Sequence, residues 1–279
     1  AKLVLKKINQ ENELYQSGKA YKSLGKNLLC QTKLDEAIEM LLKSNSFFKK
    51  MNNESEYAKV LNNLAVAYRT KGDFDKAISL CKEQIEIANR IKSDTIKASA
   101  YTIISGVYSN KELVDSTAIY AEKGLEIAKQ SNIQSLVWKL TMILGAASQS
   151  NKDFDKAIAY YEDIQPLLEE LNNFSYLGML YNNLAGCYMG LKKFDKAIKV
   201  YNANLALSTQ ANNKRYIVVS NSGLAHVYSD MDNYSVSNEY YFKTLEGAEE
   251  LNLADVKVDA LSNLTNNFYK QGQIGRAHV

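Results

Sequence analysis

The sequence predicts an all-α protein, a solenoid of antiparallel helix pairs sharing one continuous core. Three observations carry this expectation. A short phrase recurs as Gly72-Asp73-Phe74-Asp75-Lys76-Ala77-Ile78, Lys152-Asp153-Phe154-Asp155-Lys156-Ala157-Ile158 and Lys192-Lys193-Phe194-Asp195-Lys196-Ala197-Ile198, with a weaker copy at Thr32 to Ile38. Its spacing is 40 residues or a multiple, and the same step from another column collects Leu24, Leu64, Ile104, Leu144, Leu184, Leu224 and Leu264, all large aliphatics. An unbroken register of this kind is the mark of a stacked repeat. Within a unit the apolar positions follow helical spacing, as in Leu61, Leu64, Ala65, Tyr68 and then Phe74, Ala77, Ile78, Cys81, Ile85.

Each unit therefore reads as two helices. Lys71-Gly72-Asp73 separates them: Gly72 supplies the left-handed residue that ends the first helix, and Asp73 caps the second. Ala77, Ala157 and Ala197 fall where the paired helices cross, because only a small side chain lets two backbones approach closely. Links between units fall in phase at Asn52, Lys92, Asn132, Asn172, Asn212 and Asn252, and Asn-rich links such as Asn172-Asn173 and Asn212-Asn213 suit a tight turn because Asn tolerates left-handed geometry. The register places full repeats at about 14–53, 54–93, 94–133, 134–173, 174–213 and 214–253 in a single array over 1–279. Residues 1–13 then read as the second helix of a partial repeat, 254–273 as a partial repeat holding a first helix, and 274–279 as a non-native tail. Further protein is expected on both sides. Pro166, the one proline, is expected to kink the second helix of the fourth repeat.

Composition narrows the function. The 34 Lys+Arg and 31 Asp+Glu leave a formal charge of +3, too small a field for a general nucleic-acid or membrane binder. No apolar run is long enough to span a membrane. Cys30, Cys81 and Cys187 are too few and too scattered for a disulfide framework or a zinc site, which favours a reducing compartment. Cys81 shares a column with Leu41, Ala121, Tyr161 and Tyr201 and reads as a small core residue. No Gly-rich phosphate loop, metal-ligand spacing or nucleophile signature is present, so an enzyme is not expected and neither is a metal or a cofactor.

Asn63-Leu64-Ala65-x-x-Tyr68-x-x-x-Gly72-x-Phe74-x-x-Ala77-Ile78 and Asn183-Leu184-Ala185-x-x-Tyr188 resemble the tetratricopeptide repeat signature. The usual unit of that family is about 34 residues; the longer unit here is similar to the expanded repeats of kinesin light chains and of many bacterial signalling proteins. The resemblance implies a right-handed superhelix whose concave face, lined by the first helices, receives ligand peptides. By family position, Lys19, Lys22, Lys26, Lys59, Asn62, Asn63 and Arg69 project toward that face in the first two full repeats, and His226 does so farther on. This basic, amide-rich half suits a carboxylate or an acidic peptide, with Asn62 and Asn63 placed to bond an extended backbone. Chaperone-binding members use a two-carboxylate clamp completed in a third repeat; those columns hold Thr102 and Gly106 here, so a chaperone-tail receptor is not implied.

The expected function is a non-catalytic protein- or peptide-interaction scaffold, the sensory or adaptor part of a larger bacterial signalling protein, in which such arrays precede a membrane helix and a kinase or DNA-binding output. The alternative is a helical-repeat RNA-binding module. The expected location is cytoplasmic, with the periplasmic part of a membrane-anchored sensor as the alternative.

Overall fold

The computed structural model describes the backbone of residues 2–273 and the side chains of residues 11–273. Every element among them is a helix, in the order α1 (Lys2–Cys30), α2 (Leu34–Lys50), α3 (Glu54–Lys71), α4 (Phe74–Arg90), α5 (Asp94–Asn110), α6 (Val114–Gln130), α7 (Gln134–Ser150), α8 (Phe154–Glu170), α9 (Phe174–Gly190), α10 (Phe194–Gln210), α11 (Lys214–Asp230), α12 (Tyr234–Glu250) and α13 (Ala254–Lys270). The chain divides into two compact units, Ala1–Ala147 and Ser148–Val279. The all-α expectation holds. The readings for residues 274–279 lie outside the described residues.

The backbone repeats at half the sequence period. A non-glycine residue with positive φ stands at Thr32, Asn52, Lys92, Glu112, Asn132, Lys152, Asn172, Lys192, Asn212, Asp232 and Asn252, and Gly72 and Gly272 occupy the same series. After each of these the next N–H reaches back five residues, as in Asp73 to the Tyr68 carbonyl (2.9 Å), Ser93 to Ala88 (2.9 Å) and Lys193 to Tyr188 (2.8 Å). This is the six-to-one bond of a Schellman turn. One turn geometry thus serves both within helix pairs and between them. The residue after it caps the next helix where it is Asn, Asp or Ser: Asn53 accepts from the Glu56 N–H, Asp73 from Lys76, Asn173 from Tyr176 and Asn213 from Tyr216.

The break expected near residue 13 is absent. Helix α1 runs without interruption from Lys2 to Cys30. Asn12 stands in the turn column, but Glu11 and Glu13 on either side are good helix formers, and position 13 offers no short polar cap. Helix α8 continues through Pro166 to Glu170.

In the first unit the core is continuous from one pair to the next. Leu41 and Phe48 of α2, Val60, Leu64 and Tyr68 of α3, Ala77 and Cys81 of α4, and Ile103, Ile104 and Val107 of α5 form one buried cluster, with Phe74 packed against it. Burying one such aliphatic side chain contributes about 1.5–3 kcal/mol. Leu24 departs from its column: it is 46% exposed where Leu64 and Ile104 are buried. Helix α1 packs only on α2 and α3 among the described helices, which leaves that face of Leu24 uncovered.

In the second unit Ala157, Leu184, Tyr188 and Ala197 are buried. Ala225, Tyr241, Ala260, Leu264 and Phe268 form a cluster that joins α11, α12 and α13. Buried Asn267 locks the same three helices: its Nδ2 donates to Ser237 Oγ and Asn238 Oδ1 (both 2.9 Å), and its Oδ1 accepts from Ser229 (2.8 Å).

Candidate basic peptide cleft

The first helices α1, α3 and α5 of the first unit lie side by side. Between them is a cleft of about 290 Å³ lined by Lys22 and Lys26 of α1, Lys59, Asn62 and Asn63 of α3, Gln84 of α4, and Thr95, Ile96 and Ser99 of α5. The repeat geometry explains the convergence. Helix positions three and four apart share a face, so Lys22 and Lys26 form one stripe, and Lys59, Asn62 and Asn63 form the stripe beside it.

Glu56, a residue the sequence reading did not single out, sets the electrostatics. Its carboxylate accepts from Lys22 of the neighbouring first helix α1 and from Lys59 Nζ one turn along α3 (2.8 Å). Burial pushes this carboxyl up, but hydrogen bonds and charge from Lys22 and Lys59 outweigh that and hold it below the ordinary value of 4.5. Two ammonium groups are thereby fixed in place and half neutralised. Lys26 has no charged partner among the described residues. Counting Glu56, the cleft keeps a formal excess of two positive charges. Beneath it lies Gln84, 1% exposed, whose Nε2 donates to Asn62 Oδ1 (3.3 Å) and whose Oε1 has no hydrogen-bond partner among the described residues. A buried unpaired acceptor is costly, and here it lies under a cleft lined with amides.

The other expected residues sit elsewhere. Lys19 lies over the Tyr15 ring, 5.4 Å from its centre, and does not line the cleft. Arg69, farther along α3, is half-buried, and its guanidinium lies against the backbone of Gly106. Burial pulls its pKa down, with Cys81 opposing, while burial pushes the Cys81 thiol up to about 12 despite Arg69. His226 is in the second unit. Its Nδ1 lies 2.8 Å from the Ser222 carbonyl, its Nε2 3.5 Å from Asp259 Oδ2, and its ring meets Tyr241 edge-on.

Two other clefts carry internal polar bonds. One in the first unit is lined by Glu54, Tyr57, Glu83 and Arg90, in which Arg90 Nη2 bonds Glu54 (2.7 Å) and Tyr57 bonds Glu83 (2.6 Å). One in the second unit, about 330 Å³, holds Glu162, Tyr181, Tyr188 and Lys196, with Tyr188 donating to Glu162 (2.9 Å). Among the described residues no group of three or more His, Cys, Asp or Glu is placed to hold a metal ion, and no helix is long and apolar enough to cross a membrane.

Glu56 follows its N-cap Asn53 by three residues, and Asn53 Oδ1 accepts its N–H at 3.1 Å. A sequence reading assigns such a residue to the cap. Its bond to Lys22 becomes visible only when α1 and α3 of successive repeats are brought side by side. Gln84, Thr95 and Ser99 carry no local signal at all.

Residues 60–94 and 176–250 each match a tetratricopeptide repeat family model. No curated protein sequence matches the chain. Among solved structures, aspartyl phosphate phosphatase F from Bacillus subtilis is similar at a TM-score of 0.73 and 16% identity, over 99% of this chain and 71% of that one. A signal transduction ATPase with numerous domains from Pyrococcus horikoshii, which carries a tetratricopeptide repeat sensor, gives 0.79 and 18%, over 96% of this chain and 42% of that one. A Rap protein complexed with competence and sporulation factor gives 0.64 and 16%, over 91% and 75%. At these identities the likeness is one of fold. Residues 60–94 and 176–250 are thus tetratricopeptide repeats, and the helix pairs and the repeated signature carry the same pattern along the rest of the described chain.

Proposed function

We propose that the chain is a non-catalytic scaffold whose cleft between α1, α3 and α5 holds an acidic, extended segment of a partner protein. The observation that carries this reading is the convergence of Lys22, Lys26 and Lys59 with Asn62, Asn63 and the unpaired Oε1 of buried Gln84. Ammonium groups bind carboxylates through charge-assisted hydrogen bonds. The amides are complementary to the N–H and C=O groups of an extended backbone, and Gln84 Oε1 supplies an acceptor for a peptide N–H. An RNA ligand fits less well, because single-stranded bases bind by stacking and no aromatic side chain lines the cleft.

A sensory or adaptor role within a larger bacterial signalling protein, in the cytoplasm, is part of the same proposal. It is supported by the repeat-sensor description of the Pyrococcus protein and by the Rap complex with its factor. The test is selection from a displayed random peptide library against the full chain and against a Lys26→Gln/Lys59→Gln variant. Enrichment of Asp- and Glu-containing peptides by the first, lost in the second, is expected. Enrichment indifferent to charge, or unchanged in the variant, refutes the reading.

A further inference from the structure

Arg69, like Lys19, is an expected groove residue of the first unit whose charge the cleft does not use. Its guanidinium takes the volume above Gly106, where a Cβ would meet Arg69 Nη1 at 2.2 Å. Among the described residues it has no carboxylate partner, and the group beneath it, Cys81, is a buried neutral thiol. Desolvating a guanidinium without a counter-ion costs free energy, and an anion arriving from outside recovers it. Part of its role is space filling: the column of Cys81 carries Tyr161, Tyr201 and Tyr241 in the second unit, all buried, and the small thiol leaves room that the arginine takes. A methionine would fill that room equally well, so packing does not account for the charge.

The placement relative to the cleft is regular. Arg69 follows Asn62 on α3 by seven residues, and Gly106 follows Ser99 on α5 by seven. At about 1.5 Å of rise per residue, the guanidinium lies about 10 Å along the same pair of helices from the lysine and amide cleft. A peptide in the extended polyproline II conformation advances about 3.1 Å per residue with about three residues per turn, so side chains three residues apart share one face and span the gap.

We propose that Arg69, laid over Gly106, is a second anion station of the same groove, and that the ligand is an extended peptide with two acidic side chains three residues apart. This rests on the cleft reading above and adds the spacing. The test uses the full chain and fluorescein-labelled, acetylated and amidated nine-residue Gly/Ser peptides carrying one Asp, or two Asp at spacings of one, three and six, titrated by anisotropy at low salt. The spacing of three is expected to bind about tenfold more tightly than one Asp and more tightly than either other spacing. Arg69→Met should bring the spacing-three peptide to the one-Asp affinity and leave the one-Asp peptide unchanged, whereas Arg69→Lys keeps most of the preference. If spacing does not matter while Lys26→Gln and Lys59→Gln still weaken every peptide, the second station is wrong and the cleft stands. If those lysine variants change nothing, both fail. Because the spacing series is read on the unaltered chain, a variant that misfolds does not rescue the proposal.

Discussion

Glu56→Gln should lower stability and tighten binding of an acidic peptide. The carboxylate side chain is 13% exposed, Lys22 18% and Lys59 51%. The bond to Lys22 is thus largely shielded and loses about 1.5–2 kcal/mol as a charge-assisted hydrogen bond. The bond to Lys59 is screened by solvent and loses at most about 0.5 kcal/mol. The sum, about 2 kcal/mol, corresponds to a fall of about 4–8 °C in the melting of a unit of this size. Binding moves the other way. A carboxylate about 7 Å from a ligand carboxylate at an effective dielectric of about 60 repels it by about 0.8 kcal/mol, so its removal tightens binding about fourfold. Helix content at 222 nm against temperature gives the first quantity, and anisotropy of a labelled acidic peptide at low salt gives the second. A folded variant that binds more weakly would show that Glu56 acts by aiming the lysines, and the charge count used here would be wrong. The pH dependence has a fixed sign. Because Glu56 is held below its unfolded value of 4.5, its contribution is present above that pH and is lost as pH falls through its lower folded value. The Gln variant lacks this loss.

Gly72 has φ of +88° with nothing within 4 Å of a would-be Cβ, so Gly72→Ala costs backbone strain alone, about 1 kcal/mol, whereas Lys92→Gly relieves strain at φ of +52° and should be neutral or stabilising in urea titration; equal effects of one sign would contradict the shared turn. Ala77 is fully buried between α3 and α4, so Ala77→Leu should over-pack the pair by about 1–3 kcal/mol, and an unchanged urea midpoint would contradict the packing. At pH 8 iodoacetamide should label exposed Cys30 and spare Cys81 and Cys187, whose thiols burial pushes up to about 12 and about 11; mass spectrometry finding all three modified in the folded chain would overturn this.

The fold was legible because its repeat is written in side chains that cannot be exchanged freely. Leu64, Tyr68, Phe74 and Ala77 each answer to a close contact, so their columns persist through the array. The turns were half legible. Asn52 and Asn172 announce left-handed geometry, but Glu112, Lys152 and Lys192 adopt it with no such signal, because the preceding helix and its back-bonded N–H impose the conformation. Asn12 shows the converse, a permissive residue that stays helical. At the candidate site, Lys22, Lys26, Lys59, Asn62 and Asn63 were readable as one face from the family resemblance. Glu56 was hidden behind its capping role, and the contact of Arg69 with Gly106 depends on an absent side chain one repeat away.

The most direct test of the cleft is a backbone amide shift map of the full chain titrated with the acidic peptide of spacing three. Perturbations concentrated at Lys22, Lys26, Lys59, Asn62, Gln84 and Ser99, with a separate set at Arg69 and Gly106, are the predicted result. Saturable binding whose shifts fall elsewhere, on the cleft of Tyr181 and Tyr188 for example, would contradict the assignment.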